Sequence, residues 1–174
     1  MNIAETAQRT GNSGRNSQFA EFPRIRKAGE SDFDSIMAMC QVMFEENGIG
    51  PSMDEDLVAS EVRAGLRGES SRIIVVIGDD RLEGSVFLIP GRSWYAQYWW
   101  LEDRWNFVLP EYRKSENSKE LLKFTEWLAD RLGIPLMMSI LNNERTEAKV
   151  RLYQRRFGKP AGAFFLVGAK TGQH

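Results

Sequence analysis

The most constraining feature of the sequence is a strand-to-helix turn within residues 108–122, which read VLPEYRKSENSKELL. A short apolar strand ends there, a polar and basic turn follows, and a helix begins near Ser118. The first N–H groups of a helix have no intrahelical partner, and the helix dipole adds partial positive charge. Because Arg113, Lys114 and Lys119 add full charges, the turn predicts a site for a phosphate or pyrophosphate.

The composition is that of a single protein domain without strong net charge. A chain of 174 residues suits one domain with a full hydrophobic core. The net charge is −1, so the whole chain offers no electrostatic case for binding nucleic acid or an anionic membrane. The single cysteine, Cys40, cannot form an internal disulfide, which predicts a cytoplasmic protein. No apolar run reaches the roughly 20 residues that span a bilayer, and the N-terminus lacks the apolar segment of a signal peptide.

The chain divides into an N-terminal arm and one folded domain. Residues 1–22 are rich in Asn, Ser, Gly, Gln and Thr and contain few large apolar side chains. Such a segment buries too little surface to offset the entropy lost on ordering it. We therefore predict a flexible arm over residues 1–22 and a single domain over residues 23–170.

Hydrophobic periodicity predicts alternating strands and helices in that domain. In chain order these are a strand at 24–27, a helix capped by Ser31 and ended by Gly48, a helix starting at Ser52, strands over Ile73–Ile77, 82–89 and 98–109, a helix from near Ser118 to Gly133, a strand over 134–141, a helix over Thr146–Phe157 and a strand over 163–167. This order predicts an α+β fold, with helices on both faces of a central mixed, mostly antiparallel sheet.

The turn and the element order together resemble a known superfamily. The run Val108-x-Pro110-x-Tyr112-Arg113, followed after a short loop by Leu-Leu, is similar to motif A of the GNAT N-acetyltransferases. Those enzymes bind the pyrophosphate of acetyl-CoA at this turn, and the resemblance extends over about residues 24–168. It implies acetyl-CoA as co-substrate and a sheet that splays between its central strands. The stretch NERTEAKVRLY also resembles phage-encoded members.

The resemblance implies a set of cofactor-binding residues. The backbone of the strand end would pair with the pantetheine arm, the turn would hold the pyrophosphate, and an asparagine after the next strand would contact the arm. In this sequence these residues are Phe107, Val108, Leu109, Arg113, Lys114, Ser115, Glu116, Asn117, Ser118, Lys119, Asn142 and Asn143. Glu116 and Ser118 stand where the superfamily usually has small residues or glycine. A carboxylate at Glu116 would repel a phosphate unless it points to solvent.

Acetyl transfer to an amine also requires a base, and carboxylates are the main candidates. The only histidine is the terminal His174, which we expect to be a frayed end. Glu102 and Asp103 are adjacent in a strand, so they point to opposite faces. Counting back from Arg113 without gaps, Glu102 falls where related enzymes place a catalytic glutamate; the alternative is an ion pair with a neighbouring arginine. Asp103 replaces Glu102 as the candidate if the strand contains a bulge.

Tyr153 is the candidate acid. The run Leu152-Tyr153, followed by Gly158, resembles the motif B helix of GNAT enzymes, whose tyrosine lies beside the thioester sulfur. A phenol can donate a proton to a leaving thiolate. A core tyrosine packed on the sheet is the structural alternative.

Six aromatic residues stand close together before and within the strand that precedes the turn. They are Trp94, Tyr95, Tyr98, Trp99, Trp100 and Trp105. Packing in the core and on the sheet is the favoured interpretation. The alternatives are an aromatic wall for an amine acceptor or the face of a homodimer.

Two functions follow from these observations. The first is an N-acetyltransferase that moves an acetyl group from acetyl-CoA to a primary amine, on a small molecule or a protein, by direct attack. The second is a non-catalytic GNAT-shaped binding protein with weak or no CoA binding. The sequence has no Gly-x-x-x-x-Gly-Lys-Ser/Thr run, which argues against nucleotide hydrolysis. One cysteine and one terminal histidine argue against a metal site.

Overall fold

A five-stranded sheet organises the chain in the computed structural model, which describes residues 19–47, 52–140 and 146–162. The elements are β1 (Ile25–Lys27), α1 (Phe33–Asn47), α2 (Glu55–Arg67), β2 (Ile73–Ile77), β3 (Gly84–Arg92), β4 (Trp99–Val108), α3 (Asn117–Leu132), β5 (Leu136–Met137) and α4 (Thr146–Phe157). The strands lie in the order β1-β2-β3-β4-β5. All neighbours are antiparallel except β4 and β5, which are parallel. The predicted mixed, mostly antiparallel sheet is confirmed.

The sheet splits between β4 and β5. Backbone pairing between these strands consists of Leu101 with Leu136 and Glu102 with Met137. Strand β4 continues to Val108, so its last residues have no β5 partner among the described residues. This is the splay that the resemblance implied, and it leaves that edge of β4 without a backbone partner among the described residues.

A bulge interrupts the pairing of β3 with β4. Phe87 lies opposite Trp105 while the next residue, Leu88, lies opposite Asp103. Arg104 is therefore the extra residue in β4. A bulge changes which side chains face each side of a strand, and this one lies beside the split.

Helices cover both faces of the sheet, as predicted. Strand residues alternate between faces, so each face has its own apolar cluster. The face covered by α3 includes Val75, Val86, Leu88, Leu101, Val108, Leu121 and Phe124. The face covered by α1 and α2 includes Ile74, Val76, Phe87, Trp105, Phe107, Ile36 and Val62.

Both predicted caps of the first two helices were wrong. Ser31 lies in a short 3-10 turn, Glu30–Asp32, that precedes α1, and the Asp32 side chain accepts the Gly29 N–H at 2.9 Å. Helix α2 is capped by Asp54, which accepts the Leu57 N–H at 3.0 Å. At α2 an aspartate takes the place expected for the serine, since its carboxylate is a strong acceptor for an unpaired N–H group.

Two strand predictions also needed correction. The strand expected over 82–89 runs over Gly84–Arg92, because the arm of the hairpin extends past β2. The strand expected over 134–141 is reduced to Leu136–Met137, because the chain turns away from β4 at the split. Met137 is 43% exposed, so this strand is not buried as predicted.

Residues 19–22, the end of the predicted arm, pack against α3. Phe19 is 2% exposed and meets Phe124 of α3 with ring centroids 4.7 Å apart. Phe22 contacts the same ring at 5.5 Å, and Trp127 Nε1 donates to Glu21 at 3.1 Å. Aromatic burial thus holds this segment on α3. The rest of the arm, Gly48 and the strand predicted over 163–167 lie outside the described residues.

No helix in the described ranges is long and apolar enough to cross a membrane.

Candidate functional site

A buried carboxylate crosses the split between β4 and β5. Asp103 is 9% exposed, and it lies on the face covered by α3 because Leu101, two residues earlier, belongs to that cluster. Its Oδ1 accepts two hydrogen bonds from Ser139, which follows β5: one from the backbone N–H at 2.8 Å and one from the hydroxyl at 3.2 Å. A side chain therefore bridges the strands just where their backbone pairing has ended.

Burial raises the pKa of Asp103 above the usual range of an aspartate. The hydrogen bonds from Ser139 act in the opposite direction, because they favour the charged form, and the neighbouring charge of Glu102 raises the pKa further. A buried carboxyl group with a raised pKa is a stronger base than an ordinary aspartate and is suited to accept a proton in catalysis.

Tyr153 of α4 lies near this carboxylate. Burial raises the pKa of its phenol, and the negative charge of Asp103 raises it further. The ring packs edge-on against Phe157 at 5.4 Å, and an ion pair between Arg156 and Glu126 ties α4 to α3. The phenol is thus held protonated, as a proton donor must be.

Glu102, the predicted base, lies on the opposite face of β4. Its partner across the ladder is Ile89, which belongs to the cluster under α1 and α2. The Glu102 carboxylate accepts Trp100 Nε1 at 2.8 Å and lies 3.7 Å from Arg104. Counting back from Arg113 crosses the bulge, which explains why Asp103 rather than Glu102 reaches the split. Glu102 thus has the ion pair with a neighbouring arginine that the sequence offered as its alternative role.

Arg113, in the turn predicted to bind phosphate, is held by three groups of the protein. Its guanidinium lies over the ring of Phe107, 5.3 Å from the centroid. Nε donates to the Val108 carbonyl at 3.2 Å, and Nη2 donates to Glu46 at the end of α1 at 2.5 Å. An anion at the turn must therefore compete with Glu46 for this cation.

Glu116 and Lys119 neutralise each other at the surface. Lys119 Nζ lies 2.8 Å from the Glu116 carboxylate, and both side chains are exposed. Glu116 thus faces solvent, which was the condition for a phosphate at this turn. Lys114 is also exposed, and within the described residues no ion pair holds it.

Asn117 anchors the turn rather than lining it. Its side chain is fully buried; Nδ2 donates to Glu83 at 2.7 Å, and Oδ1 accepts from Arg24 at 2.9 Å. The Glu83 carbonyl also accepts the Leu109 N–H at 3.0 Å. Glu83 therefore holds both ends of the turn. The Asn117 side chain and the Leu109 N–H, both predicted to contact the cofactor, are instead hydrogen-bonded to the protein itself. Sequence reasoning missed Arg24 and Glu83, because they are far from the turn along the chain.

The remaining residues of the turn shape the start of α3. The Ser115 hydroxyl donates to the Tyr112 carbonyl at 2.6 Å and accepts the Asn117 N–H at 3.2 Å. The helix begins at Asn117, so Ser118 and Lys119 are in its first turn, where backbone N–H groups have no intrahelical acceptor. These amides and Lys114 are the groups best suited to an anion. Asn142 and Asn143 lie outside the described residues.

One buried side-chain amide of β4 has no hydrogen-bond partner in the described part of the chain. Asn106 Nδ2 is shielded from solvent and makes no hydrogen bond to any described residue. It was not among the predicted side-chain contacts.

The aromatic cluster is mostly solvent-exposed, contrary to the favoured interpretation. Trp94, Tyr95, Tyr98 and Trp99 are 92%, 78%, 50% and 47% exposed. The reason is that β3 and β4 extend beyond β2 as a hairpin, whose tip no other described element covers. Only Trp105 packs in the core, with its ring 4.7 Å from Phe87.

The described residues contain no cluster of three or more His, Cys, Asp or Glu side chains able to hold a metal ion.

Sequence comparison identifies no relative. No protein-family model matches the chain, and no curated protein matches it.

Structure comparison finds clear similarity. A possible acetyltransferase from Clostridium difficile 630 superposes with a TM-score of 0.66 at 19% identity, over 83% of this chain and 96% of its own. The aminoglycoside 6′-N-acetyltransferase AAC(6′)-Ih from Acinetobacter baumannii gives a TM-score of 0.63 at 15% identity, over 85% and 98%. AAC(6′)-Iy, in complex with the bisubstrate analogue CoA-S-monomethyl-acetylneamine, gives 0.66 at 10% identity, over 84% and 97%. The chain therefore has the fold of the GNAT acetyltransferases.

Proposed function

We propose that the chain is an N-acetyltransferase that moves an acetyl group from acetyl-CoA to a primary amine by direct attack. The observation that carries this proposal is a buried carboxylate, Asp103, bonded to Ser139 at the split between β4 and β5, with Tyr153 of α4 near enough for the Asp103 charge to raise the pKa of its phenol. A base and an acid at one place are what this transfer requires. The solved acetyltransferases of the same fold support the reaction class.

We assign the two proton transfers to these side chains. Asp103 takes the proton that the amine loses as its nitrogen forms a bond to the acetyl carbon, directly or through one water. Tyr153 gives its proton to the sulfur as the carbon–sulfur bond breaks. We prefer Asp103 to Glu102 as the base, because Trp100 and Arg104 already engage Glu102 on the other face.

The residues present fit acetyl-CoA. The first-turn amides of Ser118 and Lys119 and the exposed charge of Lys114 suit a pyrophosphate. Arg113 would join them after releasing Glu46. The open edge of β4 beyond Glu102 suits a flexible arm with amide groups. When bound, the co-substrate supplies the activated acetyl group; the chain supplies binding, orientation and proton transfer.

The test is calorimetric titration with acetyl-CoA and CoA. We expect micromolar binding by the wild-type protein and a loss of at least about tenfold in Arg113→Glu. Lys123→Glu is the matched control, because this exposed α3 lysine undergoes the same charge change away from the turn. Absence of binding by the wild-type protein would refute the enzyme proposal.

One observation favours the second candidate, a non-catalytic binding protein. Glu46 holds Arg113, and Glu116 holds Lys119, so two of the predicted cations are already neutralised. If the protein fails to bind CoA, we propose that the exposed aromatic hairpin is its functional surface, and sedimentation of Trp94→Ala against wild-type protein would then test for a homodimer.

The acceptor is proposed only as a primary amine. AAC(6′)-Ih is an aminoglycoside acetyltransferase, and aminoglycosides are therefore one group of amines to include in an acceptor screen. A cytoplasmic location and a phage origin are also proposals.

A further inference from the structure

The hairpin tip, residues 93–101 between and within β3 and β4, carries no charged side chain. It reads SWYAQYWWL in a chain in which 27% of the residues are charged. Trp94 and Tyr95 at its end are 92% and 78% exposed, and Tyr98 and Trp99 are about half exposed. An aromatic side chain that becomes buried removes about 150–250 Å² from water, so these four rings together offer roughly 400–650 Å² for contact. An apolar patch of that size commonly marks an interaction site.

The backbone of the hairpin tip is held in place by its own hydrogen bonds. The Ser93 N–H donates to the Tyr98 carbonyl at 2.9 Å, and the Tyr98 N–H donates to the Ala96 carbonyl at 2.8 Å. The rings of Trp94 and Tyr95 pack edge to face, with centroids 5.2 Å apart. The exposed rings therefore stand on an ordered turn, which reduces the entropy that a partner has to overcome on binding.

The charged residues that flank the hairpin tip are already engaged within the hairpin. The Arg92 guanidinium lies 5.4 Å from the centroid of the Trp99 ring, and its Nη2 donates to Gln97 at 3.1 Å. On the other flank, Glu102 accepts Trp100 Nε1 at 2.8 Å. A charged partner thus gains little from the tip. A neutral aromatic surface is the better match, because the centre of a protein interface is depleted of charge and rich in Trp and Tyr.

The outer edge of β3 is unsuited to adding a further strand. The Leu101 N–H donates to the Pro135 carbonyl at 2.8 Å, so it points away from β3. Pro90 lies opposite Leu101, and the polar backbone groups of such a pair both point away from the partner strand. Because proline has no N–H, the outer edge of β3 lacks a donor at this position. A partner must therefore contact the side chains of the hairpin tip.

A projection and a recess lie side by side on the hairpin tip. Trp94 is the projection, since almost all of its side chain is exposed. The open recess beside it has a volume of about 550 Å³ and is lined by residues 92–97. That volume lies within the range of sites for small organic ligands, so it has room for an indole ring. A two-fold interface uses the same patch on both partners, and a patch with both a projection and a recess can complement itself.

We propose that the hairpin tip is a homodimer interface, in which Trp94 of each copy enters the recess of the other copy about a two-fold axis. The four exposed rings supply half or more of the about 800 Å² that each partner buries in a standard interface. Ala96 and Gln97, which are exposed on the same tip, extend that surface. This proposal goes beyond the proposed function and does not depend on CoA binding.

Sedimentation equilibrium of wild-type and Trp94→Glu protein between about 1 and 100 µM tests the proposal. We expect a dimer of the wild-type protein whose fraction rises with concentration. Trp94→Glu should weaken the association at least about thirtyfold, because it removes the aromatic anchor and places a charge in the recess. Leu57→Glu is the matched control, since Leu57 is 62% exposed on α2 and undergoes the same change away from the tip. Both variants should keep the wild-type melting temperature, because both side chains are exposed.

Cysteine cross-linking gives a second measurement on a folded dimer. A two-fold axis at the tip brings the two copies of residue 96 close together, so Ala96→Cys should form a disulfide-linked dimer on mild oxidation, whereas Leu57→Cys should not. The native Cys40 is buried and should not react.

Three results would overturn the proposal. The first is a wild-type protein that stays monomeric over the whole concentration range. The second is a dimer that Trp94→Glu leaves intact, since its interface would then lie elsewhere. The third is a monomer that sediments with phosphatidylcholine vesicles, since exposed Trp and Tyr would then contact a membrane surface. Calorimetry with CoA on the same samples tests the proposed function separately, and a failure to bind CoA would leave the homodimer interface standing.

Discussion

Asp103 in β4 is joined to Ser139, beyond the end of β5, by hydrogen bonds of 2.8 and 3.2 Å to a single carboxylate oxygen. Backbone pairing between these strands ends at Glu102, so the Asp103 side chain makes the next contact between the two segments. It places a carboxylate with a raised pKa at the split, where the proposed acetyl transfer needs a base.

Asp103→Asn should lower the acetylation rate by about 10²–10⁴-fold, the usual contribution of a general base. Glu102→Gln is the matched control and should change the rate little, because Glu102 lies on the other face. The measurement is kcat/KM for acetyl transfer to an amine that the protein accepts. The base assignment is wrong if the Glu102 variant loses activity while the Asp103 variant keeps it.

The same assignment predicts the acid limb of the pH–rate profile. A base must be unprotonated, and the pKa of Asp103 is raised, so activity should fall as pH decreases through a value above the usual aspartate value of about 3.9. Ser139→Ala removes one hydrogen bond to the charged form and should move the limb to higher pH. An unmoved limb in that variant would argue against Asp103 as the titrating group.

Tyr153→Phe should reduce kcat by about 10²-fold or more while the KM for acetyl-CoA stays nearly constant, because only the proton donor is removed. Tyr95→Phe is a suitable control, since this tyrosine is 78% exposed on the hairpin. Steady-state kinetics of the three proteins make the comparison. Equal kcat values for wild type and Tyr153→Phe would leave the sulfur without its proposed acid.

Glu46→Gln should bind CoA about two- to fivefold more tightly, because Arg113 would no longer be held by a carboxylate; the gain is small since both side chains are partly exposed. The effect should shrink as salt is added. Glu147→Gln provides the control, as it removes a surface partner of Arg151 on α4. Calorimetry at two salt concentrations measures this, and weaker binding by Glu46→Gln would contradict a competition for Arg113.

Asp32→Asn should destabilise the fold by about 1–2 kcal/mol at neutral pH, because Asp32 accepts two hydrogen bonds from Arg26 at 2.7 Å each. The Arg26 guanidinium lowers the pKa of Asp32, so its contribution is present above the unfolded pKa and is lost as pH falls toward the lower folded value. Urea unfolding at pH 7 and pH 3 should therefore show a difference from wild type that narrows in acid. Asp130→Asn is the control on an exposed site, and a difference that widens in acid would contradict the sign.

Much of the fold could be predicted from local pattern. The apolar run Ile73–Ile77 is the buried strand β2 that it indicated, and Gly133 ends α3 in a left-handed conformation as expected of a C-terminal glycine. Such features depend on neighbours in the chain. The Asp54 cap of α2 was missed because Ser52 and Asp54 both stand just before the helix start, and the geometry of the turn decided between them.

The candidate site depended more on tertiary structure. The sequence pointed to the turn at residues 108–122 and to Tyr153, but it could not show that Glu83 and Arg24 anchor the turn or that Glu46 holds Arg113. These partners lie 34, 93 and 67 positions from the groups they contact. Spacing within one segment cannot predict such pairings, since they form only when separate elements pack.

By itself, the sequence determined the order of the elements, the apolar faces of the sheet and the place of the strand-to-helix turn within residues 108–122, because these follow from periodicity and from the chemistry of adjacent residues. Tertiary structure alone decided which of two adjacent carboxylates faces the split, through a bulge of one residue at Arg104. It also decided that Glu83 and Arg24 take up the buried Asn117 side chain, since hydrogen-bond satisfaction depends on what the fold brings alongside. The physical reason is that periodicity is a property of one segment, whereas the register of two strands and the partner of a buried group are properties of a pair.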